Sequence, residues 1–150
     1  MFLQKPETTS EQTRNNPISI LVGLDSLRNA TGRFFLDDGE SFIQSDSYSE
    51  WSVFATSKNH LGIGEIRVDW VHSQYHPSVP ELTWNNITLY GVEGPCTLVL
   101  LNDEKSMEFF YDRTSGVLVV PLNFSVYRES FFLYWGEAVV KQSLLERIVS

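Results

Sequence analysis

Cysteine is almost missing from this sequence: Cys96 is the only one in 150 residues, so no internal disulfide can staple the fold. Long apolar runs are missing too. None approaches the roughly 18 residues that a membrane-spanning helix needs. Basic residues are sparse, with 11 Lys and Arg against 19 Asp and Glu and a net charge of −8. No dense basic stripe exists to track a phosphate backbone, which excludes a nucleic-acid partner of the usual kind. The start, Met1-Phe2-Leu3-Gln4-Lys5-Pro6, has no basic n-region and its apolar stretch stops at once, so it is not a signal peptide. Length excludes a (β/α)8 barrel, which takes about 250 residues.

What is present describes an ordinary folded domain. Hydrophobic residues make up 42% and charged residues 20%, close to globular averages. Residues 4–17 are polar and proline-marked and read as an extended linker. From Ile18 onward the chain alternates. Ile18, Ile20, Val22 and Leu24 face one way, and Ile66, Val68 and Trp70 alternate with Glu65, Arg67 and Asp69. Further strands fall at Arg33–Asp37, Trp51–Thr56, Asn86–Val92, Thr97–Leu101, Met107–Tyr111, Gly116–Leu122 and Ser130–Trp135. Turn chemistry separates them: Asn29-Ala-Thr-Gly32, Asp38-Gly39, Gly94-Pro95, Asn102-Asp103 and Thr114-Ser115-Gly116. Tyr75 to Pro80 is a loop. About nine short strands at this spacing predict an all-β, antiparallel β-sandwich. Only Glu137–Val149 departs, with Val140, Leu144, Leu145 and Ile148 at helical spacing for a short C-terminal helix.

Candidate chemistry is thin. Asp37-Asp38-Gly39-Glu40 is the densest acidic cluster. Adjacent strand residues point to opposite faces, so Asp37 and Asp38 cannot flank one bond, and a capped turn is the better reading. His72 and His76 are four apart, but beside Pro77 and without the His-Glu-x-x-His pattern, and His60 stands alone; no metal site is expected. Gly62-Ile-Gly64 lacks the third glycine of a dinucleotide fingerprint and reads as a turn into a strand. No Gly-x-Ser-x-Gly elbow or phosphate loop occurs, and no cofactor is expected. Cys96 has no nearby cation to lower its pKa and reads as an inert buried thiol. Trp51, Tyr75, Trp84 and Tyr90 could form a sugar-stacking surface. Trp84 and Tyr75, in polar surroundings, are the better candidates, whereas Trp70 and Trp135 belong to a core. Three glycosylation sequons begin at Asn29, Asn86 and Asn123. They point to the secretory pathway, against the cytosolic leaning of the single cysteine.

The run Asn29-Ala-Thr-Gly-Arg-Phe-Phe-Leu-Asp-Asp-Gly-Glu-Ser41 resembles the Ala-x-Gly-x-(Leu/Phe)-(Phe/Tyr)-x-Asp-Asp-Gly-(Glu/Gln)-(Ser/Thr) signature of family 31 glycoside hydrolases, the α-glucosidases. Upstream, Gln4-Lys5-Pro6, Thr8-Thr9, Arg14-Asn15-Asn16-Pro17 and Ile20–Asp25 are similar to that family in the same order. Downstream, Ser73–Pro77, Asn86–Val92, Asn123-Phe-Ser125 and Phe131–Trp135 continue the collinear resemblance across about residues 3–135.

The resemblance implies that residues 1–17 close a proximal C-terminal domain. It implies that 18–136 form the distal C-terminal β-sandwich and that 137–150 are an added tail. It also implies that Asp37, Asp38, Gly39 and Glu40 are signature residues without a catalytic role. The family's nucleophile motif, Trp-x-Asp-Met-(Asn/Ser)-Glu, and its second barrel Asp do not occur here, so no catalytic residue is carried over. The expected function is a non-catalytic accessory domain, whose partner is the catalytic barrel of a parent enzyme, with α-glucan as a further ligand. The chain then reads as a fragment, an isoform or a split gene product. The alternative is a free-standing carbohydrate-binding or interaction module derived from that domain. The family context places the chain in the secretory pathway: lysosomal, secreted or cell-surface.

Overall fold

A computed structural model describes residues 1–8, 16–37, 48–58, 63–73, 82–127 and 130–138. Alternating apolar residues form eleven strands: β1 (Phe2–Gln4), β2 (Ile18–Gly23), β3 (Asn29–Asp37), β4 (Tyr48–Lys58), β5 (Ile63–Ser73), β6 (Trp84–Tyr90), β7 (Leu98–Leu101), β8 (Lys105–Ser106), β9 (Phe110–Asp112), β10 (Val117–Pro121) and β11 (Phe131–Gly136). They build a five-stranded sheet, β1-β2-β6-β10-β9, and a six-stranded sheet, β3-β4-β5-β11-β7-β8. We call these sheets A and B. Every pairing is antiparallel except β2 with β6. Inward residues of both sheets form one core, which is the sandwich that the alternation predicts.

The strand register follows the hydrophobic pattern. In β4, Trp51, Val53 and Ala55 are buried in alternation, and they pair with Trp70, Val68 and Ile66 of β5. Several boundaries differ from the sequence reading, three of them for a clear local reason. Phe2–Gln4 is a strand, because the Phe2 ring packs on Phe34, with centroids 5.0 Å apart, and closes the edge of sheet A. Asn29–Gly32 belongs to β3. The turn sits upstream, where the Asp25 carboxylate accepts the amides of Leu27 (2.8 Å) and Asn29 (2.9 Å) and Arg28 adopts φ 65°. Met107–Tyr111 is divided, because the chain passes from β8 in sheet B to β9 in sheet A. Met107 and Phe109 pack against the core at that crossing. The Asn102-Asp103 signal does join two strands, β7 and β8, with both residues at positive φ. The loop Tyr75–Pro80 and nearly all of the expected C-terminal helix lie outside the described residues.

Gly64 lies inside β5 directly opposite Trp135 of β11. A Cβ there would overlap the indole ring, so only glycine lets the fully buried Trp135 lie across the strand. The sequence reading took this glycine as the entry to a strand; its purpose is close approach. Gly64→Ala must therefore displace Trp135, at a cost of about 1–3 kcal/mol. Thermal unfolding of the variant should show a clearly lower Tm, and an unchanged Tm would mean that the ring is not held there.

Candidate functional site

The sequence candidates do not converge on one site. Trp84 is 2% exposed and sits at the centre of the sandwich. Its ring meets Phe34 at 6.1 Å, Trp51 at 6.4 Å and Phe131 at 6.2 Å, each edge-on. The expected sugar platform at Trp84 is therefore corrected: this ring has no free face. The cause is a β-bulge. The register between β2 and β6 shifts after the Ile18–Trp84 pair, and Asn85 is the extra residue. Its side-chain amide donates to the Ser19 hydroxyl at 3.0 Å, outside the core. Trp84 and Ile87, three apart, thus face inward together, which period-two reading of the polar neighbours cannot reveal. Trp51 is likewise in the core, while Tyr90 is exposed. Tyr75 lies outside the described residues.

Asp37 ends β3, paired with Tyr48 of β4; Asp38, Gly39 and Glu40 lie outside the described residues. His72 is on β5 and stacks on Tyr48 at 4.3 Å, and Tyr48 stacks on Phe35 at 4.7 Å. This outward aromatic row of sheet B went unnoticed in the sequence, because its members come from three separate strands. Its signal was present as apolar or aromatic residues at outward positions. The rings spend their faces on one another. Beside them Arg33 and Glu50 pair at 3.1 Å, and Arg67 lies 5.4 Å above the Phe132 ring while its Nε donates to Glu65 at 2.5 Å. Among the described residues no three His, Cys, Asp or Glu come together as a metal site. His60 and His76 fall outside those residues.

Two depressions flank the β3 edge. A cleft of about 160 Å³ opens between the sheets, lined by Phe2, Ile20, Val22, Ala30, Gly32 and Val53 among others. It is below the roughly 300–1,000 Å³ of ordinary small-molecule sites. A second, of about 370 Å³, lies over Thr31–Arg33 and Ser52–Phe54, with Arg33 its one ionisable side chain. Neither holds a carboxylate.

Several other reactive groups among the described residues have structural occupations. Cys96 is buried, and burial pushes its thiol pKa up, so it stays protonated at neutral pH as the inert reading expects. Tyr111 donates its hydroxyl to the Gly94 carbonyl at 2.5 Å and pins the loop between β6 and β7; burial raises its pKa. Asp112 accepts the Ser115 hydroxyl at 2.8 Å and the Thr114 amide at 2.9 Å. Those bonds, the Ser115 hydroxyl first, hold its carboxyl below the usual carboxylate range. Arg28 pairs with Glu93 at the end of sheet A. The sequon asparagines sit differently: Asn123 is exposed, whereas Asn29 and Asn86 are half-buried on β3 and β6.

Comparison with known proteins gives these parts a setting. No protein-family model matches the chain. It is 31% identical over 147 residues to the intestinal sucrase-isomaltase of Oryctolagus cuniculus, covering 93% of this chain and 8% of that protein. It is 31% identical over 124 residues to an uncharacterised family 31 glucosidase of Schizosaccharomyces pombe, covering 83% of this chain and 11% of that one. The chain belongs to the family 31 glycoside hydrolases. It spans about a tenth of the length of the curated family 31 relatives it matches. Solved structures agree on the fold. The α-1,4-glucan lyase of Gracilariopsis lemaneiformis matches with a TM-score of 0.60 at 15% identity, over 81% of this chain and 14% of that one. A glucosidase II α subunit matches with 0.57 at 16% identity, over 91% and 16%.

The Asp112 turn makes a pH signature. A carboxyl whose folded pKa is depressed adds stability above its unfolded pKa, and loses it as pH falls through the folded value. Wild type should therefore exceed Asp112→Asn in stability by a constant margin at neutral pH. That margin should shrink below about pH 4, near the ordinary carboxylate pKa. Urea midpoints at pH 7 and pH 3 check this; a margin that does not narrow in acid contradicts it.

Proposed function

We propose that this chain serves as a non-catalytic accessory β-sandwich of a family 31 α-glucosidase. The parent enzyme would hydrolyse terminal α-glucosidic bonds with retention of configuration. That reaction uses two carboxyl groups about 5–5.5 Å apart. The observation that carries the reading is the fit of almost the whole chain to a tenth of much longer family 31 relatives. The chain contains no Trp-x-Asp-Met sequence to supply a nucleophile. Several carboxylates are already held by Arg33, Arg28, Arg67 or their own turn. Its partner is the catalytic barrel of the parent, and any α-glucan contact, through Tyr75 or elsewhere, is secondary.

Relatives named intestinal and lysosomal support a place in the secretory pathway, where Asn29 and Asn123 would be glycosylation sites. The alternative, a free-standing sugar-binding module, draws on the aromatic row of sheet B. It is weaker because those rings are stacked on one another. Purified protein should give no turnover of an aryl α-glucoside above buffer. Reproducible hydrolysis that tracks the protein through purification would overturn the accessory role.

A further inference from the structure

The two outer faces of the sandwich differ in charge. Outward positions of sheet B carry Arg33, Glu50, Arg67 and Asp69. Those of β2, β6 and β10 in sheet A carry no Asp, Glu, Lys, Arg or His. One row crosses the whole of sheet A: Met1, Leu21, Thr88, Val119 and Phe110, each beside the next through backbone pairing. Leu3 and Tyr90 flank it. Met1 is 70% exposed, Phe110 66% and Tyr90 46%. Asp112, an acid beside this face, is turned into its own turn. The Arg28–Glu93 ion pair stands at the sheet end, as a charged rim around an apolar centre would.

We infer that the outer face of sheet A is the surface by which this domain docks on the rest of its parent enzyme. The inference rests on the accessory reading and names the surface that serves it. The occupant is an uncharged, apolar surface of the same polypeptide. About nine-tenths of each curated family 31 relative lies outside the matched stretch and is available to cover it. A neutral face with a charged rim disfavours a charged partner and suits a permanent contact between domains. Sheet B, with charges of both signs, is left for solvent. One consequence concerns the second sequon. Asn86 stands on this face, level with Ser19 and Pro121, and Thr88 is only 8% exposed. A glycan on Asn86 would stand in the interface, so Asn86 is unmodified in the docked enzyme, unlike exposed Asn123.

The test grafts the full 150-residue chain into the Schizosaccharomyces pombe family 31 glucosidase in place of its matched stretch. Three versions are compared: unaltered, Tyr90→Lys/Phe110→Lys, and Phe54→Lys on the outer face of sheet B. All three replaced residues are exposed, and the isolated chain should keep its own Tm within about 2 °C in each case. The unaltered graft and Phe54→Lys should be active on an aryl α-glucoside and inactivate at the same temperature. Tyr90→Lys/Phe110→Lys should inactivate at least about 5 °C lower. Equal inactivation temperatures would overturn the face and leave the accessory reading standing. An inactive unaltered graft would overturn that reading and this one with it. Equal temperatures, with self-association of the isolated chain that the double variant abolishes by light scattering, would assign the face to a second copy and overturn the occupant named here.

Discussion

The Trp84 indole is the contact on which the two sheets depend. It enters from sheet A and fills a hollow among Phe34, Trp51 and Phe131 of sheet B. Edge-to-face contacts of this kind add to the burial of a large apolar surface. The ring also fixes the one parallel pairing, because β6 must place Trp84 against Ile18 before the bulge resets the register. Trp51 extends the cluster to Trp70 at 5.9 Å and Tyr127 at 6.2 Å, and Phe131 extends it to Phe124 at 4.9 Å. No disulfide assists, since the only thiol is buried and alone.

That arrangement accounts for what the residues could and could not tell in advance. Regular alternation in β4 and β5 declared its buried face at once, because side chains in a strand repeat every two residues. Trp84 did not declare itself, because Asn85 adds one residue to its strand and makes a polar neighbourhood look like a loop. The turn at Asp25 was hidden behind the glycine at position 32, which lies in mid-strand under the Phe2 ring. Gly64 is an instance of the same difficulty: its meaning lies in Trp135, seventy-one residues away along the chain. Positions whose role is set across strands are legible only once the pairing is known. The family resemblance was legible from the start, because it rests on ordered local motifs that need no pairing. The candidate site was the least legible part. Of the sugar contacts expected, one is a core residue and one lies outside the described residues.

The division of labour within the sandwich follows from the same geometry. Among the described residues its interior is spent on aromatic packing, and several reactive side chains on turns and ion pairs. What remains for function is surface, and the two surfaces are unlike. Sheet B presents charges of both signs, a stacked aromatic row and the exposed side chains of Phe54 and Val71. Sheet A presents a neutral apolar row.

Equilibrium urea unfolding of Trp84→Ala tests the central claim most directly, because it separates a ring that joins the sheets from one that waits for a ligand. The account predicts a loss of about 3–5 kcal/mol relative to wild type, the usual cost of removing a buried tryptophan. A change within about 0.5 kcal/mol, as for a surface residue, would contradict it.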